Sequence, residues 1–566
     1  MIKIDREKIR KWLDYLIGVV AGIAFLVLLI QWGFKLGDSH RRLFNTIDSI
    51  VLCVFLLETV LRFLLTPEKK GYLKKNWIDL IVFVPFVQFV RGIKMARIFI
   101  ILRQLIVMSS LFSRTKRLQK LISLLGFRPA QLLVVSFLMT ILIGAFLLTL
   151  PIASHSGEAL GFIDALFTAT SATCVTGLIV KDTGTFFSLF GQLVILALMQ
   201  IGALGIMTFS VTLFLAVGKK MSNREAMVMQ DVLDQDSFAG ILGLIRFIAR
   251  MTLTVELLGA VFLFVGFMPY FQNPLQCLYI SVFHSISAFC NAGFSLFSDS
   301  LVGFAGDVTI NMTVAFLIIF GGIGFIVVED IWNKYVTGKR SKSLGLKLHT
   351  KLVLVTSFIL VIIGTLSIFF AESNCALKNM PLKKQILISF FQSVSTRTAG
   401  FNSIDIGAMT NASIFSMIVL MFIGASAGST GGGIKTTTAW VMWRAFTSTF
   451  LNRDNISAFK RKIPDAVVAK SVAVFVLSLG LVIVFMYIIS ILESLPFREL
   501  LFEVVSAFGT VGLSCGITAS LHMHGKLLIT ALMFLGRVGP LTMVLAFSGY
   551  RRKINYVYAE ERILVG

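Results

Sequence analysis

The sequence predicts an all-α polytopic membrane protein: four helix–pore loop–helix repeats around a pseudo-fourfold axis, preceded by an N-terminal four-helix bundle. Three observations carry that reading. Of 566 residues, 56% are hydrophobic and 14% charged, and the mean hydropathy is +0.87. That leaves too few polar residues to cover a soluble chain of this size. The charged residues cluster between apolar runs of about 17–25 residues, the length of helix that crosses a hydrocarbon core of ~30 Å. Finally, one short motif recurs four times, each time between two such runs.

The net charge of +23 is a matter of distribution. Basic residues gather at 3–11, 69–75, 114–128, 219–250, 334–351, 444–470 and 551–562, alternating with segments poor in Lys and Arg. This is the positive-inside pattern, and it places both termini in the cytoplasm. Loops that set topology and touch lipid headgroups account for the charge, so no nucleic-acid partner is needed. The first apolar run has no small-residue cleavage site after it and reads as a retained helix.

Residues 1–113 carry runs at about 12–33, 44–66, 77–90 and 91–112. The second holds Phe55, Glu58 and Arg62, and the third opens with "NWIDLIVFVPF", which contains Asp79. The fourth places Arg91, Lys94 and Arg97 at every third position, skips Ile100 and resumes at Arg103. Cations in hydrocarbon need partners, and Glu58 and Asp79 are the available acids. The pattern resembles the voltage-sensing domain of voltage-gated cation channels, in which the Phe and the two acids form a charge-transfer centre. The stretch "SRTKRLQKL" from Ser113, which runs into the basic segment 114–127, resembles the amphipathic linker from sensor to pore. Ile100 departs from that pattern, and the alternative is a static bundle that docks the pore or a second subunit.

The repeated motif reads "FTATSATCVTGL" from Phe167, "FHSISAFCNAGF" from Phe283, "FQSVSTRTAGF" from Phe391 and "FEVVSAFGTVGL" from Phe502. Each has Phe, then Ser four residues on (171, 287, 395, 506), then Gly (177, 293, 400, 512). Phe and Ser at this spacing share one face of a short helix. The stretch after it cannot be helical, and non-helical backbone survives at membrane depth only when buried in protein or lining water. Glycine supplies the positive φ that lets a row of carbonyls face one axis. Four such rows would replace an ion's hydration shell, and four helix C-termini aimed at them would favour a cation. The repeats occupy about 128–217, 243–334, 350–446 and 466–550, and 551–566 forms a cytoplasmic tail.

The third repeat is interrupted by "GASAGSTGGGIKTTT" at 424–438. Its second apolar run, 411–446, is too long for one span unless broken, and Gly428, Gly431, Gly432 and Gly433 disfavour helix. Lys435 is expected to snorkel to cytoplasmic water. Arg537, in "FLGRVGPLT", is expected to face the pore and bond carbonyls of this loop, repelling cations from below. The segment "GSTGGGIKT" is not a phosphate loop, because Ile434 separates Gly433 from Lys435 and no strand precedes it.

Together "TCVTGL", "CNAGF", "STRTAGFNS", "GTVGLS", "GSTGGGIKTTT" and "GRVGPLT" resemble the Trk/Ktr/HKT superfamily of cation transporters over about residues 128–550. The resemblance implies a selectivity filter built by Thr173, Cys174, Val175, Thr176 and Gly177, by Cys290, Asn291, Ala292 and Gly293, by Thr398, Ala399 and Gly400, and by Thr510, Val511 and Gly512. Potassium ions would be held by backbone carbonyls there, with no other cofactor. Glycine at all four filter positions implies K+ selectivity. The 424–438 loop with Arg537 would be the gate. The family works in the plasma membrane as dimers with cytosolic nucleotide-binding regulatory rings, for which the loops at 219–250 and 334–351 are the places to dock.

No catalytic cluster is present, so the chain reads as a non-enzyme. The six cysteines show no CxxC pairing and no metal spacing, and His522 and His524 form an HxH, a weak metal signal that is set aside. The competing readings are a Na+/K+ transporter with a static accessory bundle, and a signalling membrane protein with a degenerate pore.

Overall fold

The computed structural model describes residues 129–216, 238–338, 345–452 and 455–547. The expected N-terminal bundle, with Phe55, Glu58, Arg62, Asp79, Arg91, Lys94, Arg97 and Arg103, lies outside the described residues, as do the linker and the tail. Among the described residues the regular elements are helices apart from one small hairpin, β1 (Ser457–Ala458) and β2 (Arg461–Lys462).

The helices fall into four similar sets. The first is α1 (Pro129–Thr149), α2 (Phe162–Thr173) and α3 (Leu189–Ala216), and the second is α4 (Phe238–Phe267), α5 (Pro274–Phe289), α6 (Val308–Ile323) and α7 (Phe325–Tyr335). The third is α8 (Leu348–Glu372), α9 (Leu382–Ser395), α10 (Asn411–Phe422) and α11 (Thr436–Phe450). The fourth is α12 (Asp465–Leu492), α13 (Phe497–Gly509), α14 (Met523–Val538) and α15 (Pro540–Phe547). Each set thus has a long helix, a short helix ending at the motif, and a returning helix. The segments Arg246–Tyr270, Leu348–Glu372 and Asp465–Leu492 are long and apolar enough to cross a membrane, and α6 with α7 is a fourth, bent candidate.

Polarity is distributed for a lipid solvent. Leu253, Leu257, Val261 and Val265 on α4, and Phe358, Ile362 and Phe370 on α8, are exposed large apolar side chains. The motif residues Phe167, Phe283, Phe391 and Phe502 are completely buried, and so are Ser171, Ser287, Ser395 and Ser506. Small hydroxyl residues can be buried because each bonds backbone nearby, while the outer face needs no polar group.

Bonds between neighbouring sets close a circle. The Tyr279 hydroxyl donates to Gln192 Oε1 (2.7 Å), and Leu301 N donates to Asn402 O (3.0 Å). Arg498 Nη1 donates to Asn411 Oδ1 (2.9 Å). Lys526 on α14 then pairs with Asp164 on α2 at 2.8 Å, and Gln131 Nε2 donates to Ala546 O at 3.1 Å, tying the last set back to the first.

The interruption expected in the third repeat recurs in the others. All four returning helices are broken. Gly205 (φ 29°), Gly324 (φ 102°) and Gly539 (φ 88°) take positive φ, and α6 and α7 meet at a 94° bend. Glycine accepts that conformation without Cβ strain, so the helix turns there. Three residues earlier stand Gly202, Gly321 and Gly536, each pressed on a carbonyl at the end of its short helix: Thr173, Phe289 and Phe508. Any side chain would collide with that oxygen.

Gly536→Ala should therefore cost about 1–3 kcal/mol through overpacking. Gly480→Ala, on α12 where nothing lies within 4 Å, should be neutral or slightly stabilising. Melting of the detergent-solubilised protein checks this, and equal shifts for the two variants would contradict the packing.

Candidate functional site

The four motif glycines meet end to end. A Cβ on Gly177 would stand 2.5 Å from Ala292 O, one on Gly293 2.8 Å from Ala399 O, and one on Gly400 2.6 Å from Val511 O. One on Gly512 would overlap Thr176 O, which returns the circuit to its start. The four loops thus form a closed ring in which each glycine abuts the residue before the next glycine. All four take positive φ, between 69° and 96°.

The short helices deliver the chain to this ring through left-handed caps. Val175 (φ 56°), Asn291 (φ 57°), Thr398 (φ 75°) and Thr510 (φ 49°), each two residues before its glycine, are also left-handed. That conformation is strained for β-branched residues and occurs where surrounding structure enforces it, often at functional sites. Here the enforcement is hydrogen bonding: Thr176 N donates to Ser171 O (2.8 Å), Ala292 N to Ser287 O (2.8 Å) and Val511 N to Ser506 O (2.9 Å). These are the closing bonds of a Schellman motif. The third repeat, one residue shorter, closes with Ala399 N to Ser395 O at 3.0 Å.

The repeated serine is the second clamp. Ser171 Oγ accepts from Gly177 N (3.0 Å) and Ser506 Oγ from Gly512 N (3.1 Å). In the other two repeats the hydroxyl donates instead, Ser287 to Phe294 O (2.7 Å) and Ser395 to Phe401 O. The motif's Ser-to-Gly spacing thus has a direct geometric cause. Arg397, which lies beside the third loop in sequence, turns outward to Ser357 on α8 (3.1 Å to its Oγ).

Under the third and fourth loops lies the 424–435 segment, which enters and leaves through a parallel bridge between Ile423 and Ile434. Gly428 (φ 71°) and Gly433 (φ 67°) turn the chain. Gly431 is pressed against the Thr398 side chain, and Gly432 N donates to Thr510 Oγ1 at 3.0 Å. The segment is tied to the second repeat by Ser426 N to Gly322 O (3.1 Å) and Phe325 N to Gly428 O (2.9 Å). Arg537, in the last turn of α14, donates from its two terminal nitrogens to Thr430 O and Gly202 O. Arg537 thus reaches one carbonyl of the segment and one of the first repeat. Lys435 does not snorkel: its ammonium turns into the loop and donates to Gly431 O at 2.8 Å. The freed carbonyls of Gly431 and Gly432 offer it partners within the protein.

Sequence reading missed the left-handed residues two before each glycine. It also missed the paired glycines in "GALG", "GGIG" and "GRVG", whose three-residue spacing was a readable signal. Among the described residues no group of three or more His, Cys, Asp or Glu could hold a metal. His522 instead faces Glu493, with Nδ1 and Oε2 at 2.8 Å.

A family described as TrkH, cation transport protein, matches residues 93–553. The chain is a member of this TrkH family. A second family, described as ion transport protein, matches residues 10–158. The TrkH-family chain is 41% identical over 454 residues to Ktr system potassium uptake protein B of Bacillus subtilis, covering 80% of this chain and 100% of that one. It is 39% identical to the potassium/sodium uptake protein NtpJ of Enterococcus hirae over 80% of this chain and 99% of that one. The crystal structure of the potassium transporter TrkH from Vibrio parahaemolyticus superposes with a TM-score of 0.56 at 17% identity, covering 78% of this chain and 97% of that one. The fold is therefore that of a polytopic TrkH-type membrane transporter, and the chain is a cation transport protein and not an enzyme.

Arg537→Gln should loosen the 424–435 segment. Losing hydrogen bonds from a charged donor is worth about 1.5–3 kcal/mol, so amide exchange of this segment should speed up about tenfold or more. Hydrogen–deuterium exchange checks it, with α9 as an internal control; unchanged protection would mean that the other ties suffice.

Proposed function

We propose that the chain conducts K+ selectively across the plasma membrane, through a filter whose centre is the glycine ring. The observation that carries this is the closed circuit Gly177–Gly293–Gly400–Gly512, in which each glycine leaves room only for the neighbouring backbone. Four carbonyl rows at that spacing would replace a hydration shell, and four helix C-termini directed at the ring would add partial negative charge. The relatives named as potassium uptake proteins support the choice of ion. NtpJ, named for potassium and sodium, supports a second reading in which Na+ also passes.

The 424–435 segment with Arg537 would gate the pathway from below. Its contacts with Thr398, Thr510, Gly202 and Gly322 touch all four repeats, so a shift of one returning helix would move it. The ion transport family match over residues 10–158 supports a sensor-like N-terminal bundle. The Ktr relatives are named as proteins of a system, which supports a further subunit; that this subunit is cytosolic and that the chain is a dimer in the plasma membrane are proposed on the family resemblance.

Gly177→Ser should admit Na+, because a side chain there collides with Ala292 O and displaces the second repeat's row. The K+/Na+ permeability ratio in planar bilayers should fall, and an unchanged ratio would remove Gly177 from the filter. For the N-terminal bundle, Arg97→Gln should make the conductance–voltage curve less steep. One charge crossing the field is worth about 2.3 kcal/mol per 100 mV. Ohmic wild-type conductance from about −150 to +100 mV would show that no charge moves with the gate, and the bundle would then be a scaffold.

A further inference from the structure

Behind the ring lies a second fourfold pattern. The residue after each motif phenylalanine is polar, and all four (Thr168, His284, Gln392 and Glu503) are at most 1% exposed. Three of them reach from the short helix to the chain leaving the ring. His284 Nε2 lies 3.0 Å from Ser295 Oγ, and Gln392 Oε1 accepts from Ser403 N at 3.5 Å. Glu503 Oε1 accepts from the Thr518 hydroxyl, and Thr518 Oγ1 lies 3.0 Å from Ser514 Oγ. Ser295 and Ser514 hold the same position, two residues beyond Gly293 and Gly512. Thr168 differs, bonding back to Asp164 O in its own helix at 2.8 Å rather than to the chain leaving the ring.

Glu503 is the most costly of these groups. Its Oε2 is buried without a partner among the described residues. A carboxyl with an unmade bond in an apolar wall is worse for stability than a leucine of similar size. Packing therefore does not account for it. Its location does: it bonds Thr518 and through it meets Ser514, two residues beyond Gly512 on the chain leaving the ring.

We infer that Glu503 is a positioning residue that, through Thr518 and Ser514, fixes the fourth row of the ring from behind and so sets discrimination between K+ and Na+. This rests on the ring being the selectivity filter. A buried hydrogen bond of this kind limits outward movement of one row. Without it the ring widens on that side, and a geometry fitted to one ion loosens.

The test uses the full chain in liposomes, reading K+ and Na+ flux for wild type, Glu503→Leu, Glu503→Gln, Thr518→Val and the Glu503→Leu/Thr518→Val double variant. Glu503→Leu and Thr518→Val should each lower the K+/Na+ flux ratio about tenfold, the worth of one buried hydrogen bond. The double variant should be no worse than either, because both remove the same bond. Glu503→Gln keeps the acceptor and should stay within about twofold of wild type. If Glu503→Leu does not fold, Thr518→Val, outside the short helix, decides alone. A selective wild type with unchanged ratios in Thr518→Val and any folded Glu503→Leu overturns the role of Glu503 and leaves the filter standing. A wild type that does not discriminate K+ from Na+ overturns the filter reading itself.

Discussion

Backbone-to-backbone contact between four loops is the constraint on which the rest of this structure depends. Each loop lies so close to the next that a Cβ at Gly177, Gly293, Gly400 or Gly512 would fall on a neighbouring carbonyl or Cα. Nothing but glycine fits, and the positive φ that each adopts would strain any other residue. The approach has to be held, since backbone oxygens crowded together repel. The serine clamps and the Schellman closures at the ends of α2, α5 and α13 hold it, and the shorter third repeat uses an equivalent closure.

The same need for close approach propagates outward. The returning helices reach the ring only because Gly202, Gly321 and Gly536 let them rest on the carbonyls of Thr173, Phe289 and Phe508. Having approached so closely, they must turn away, and Gly205, Gly324 and Gly539 turn them. In the third repeat the turn is expanded into the 424–435 segment. This extra length fills the space below the ring, and Arg537 joins it to the first and fourth repeats. Polar interior and apolar exterior follow from this arrangement: the backbone at the centre needs hydroxyl partners, and the long helices α4, α8 and α12 face hydrocarbon.

Much of this was legible in the sequence because it is repeated. One Phe-x-x-x-Ser followed by Gly carries little meaning, whereas four at matched positions between apolar runs specify a ring. The break at 424–438 was legible because its glycines interrupt an apolar run too long for one span. The breaks at Gly205, Gly324 and Gly539 were missed although their G-x-x-G pairs recur, because glycines inside an apolar run are also compatible with an unbroken span. Lys435 was misplaced for a related reason. Its partners, Gly431 O and Gly432 O, become available only once the loop has folded.

The sequence by itself determined the class, the fourfold repetition, the ring glycines and the interrupted helix, since hydropathy and recurrence are properties of the chain read in order. Tertiary structure alone decided which backbone each glycine touches, that Val175, Asn291, Thr398 and Thr510 are left-handed, and that Glu503 stands behind Thr518. Those facts depend on loops separated by roughly a hundred residues meeting at one axis, and no local pattern encodes a distance across that axis.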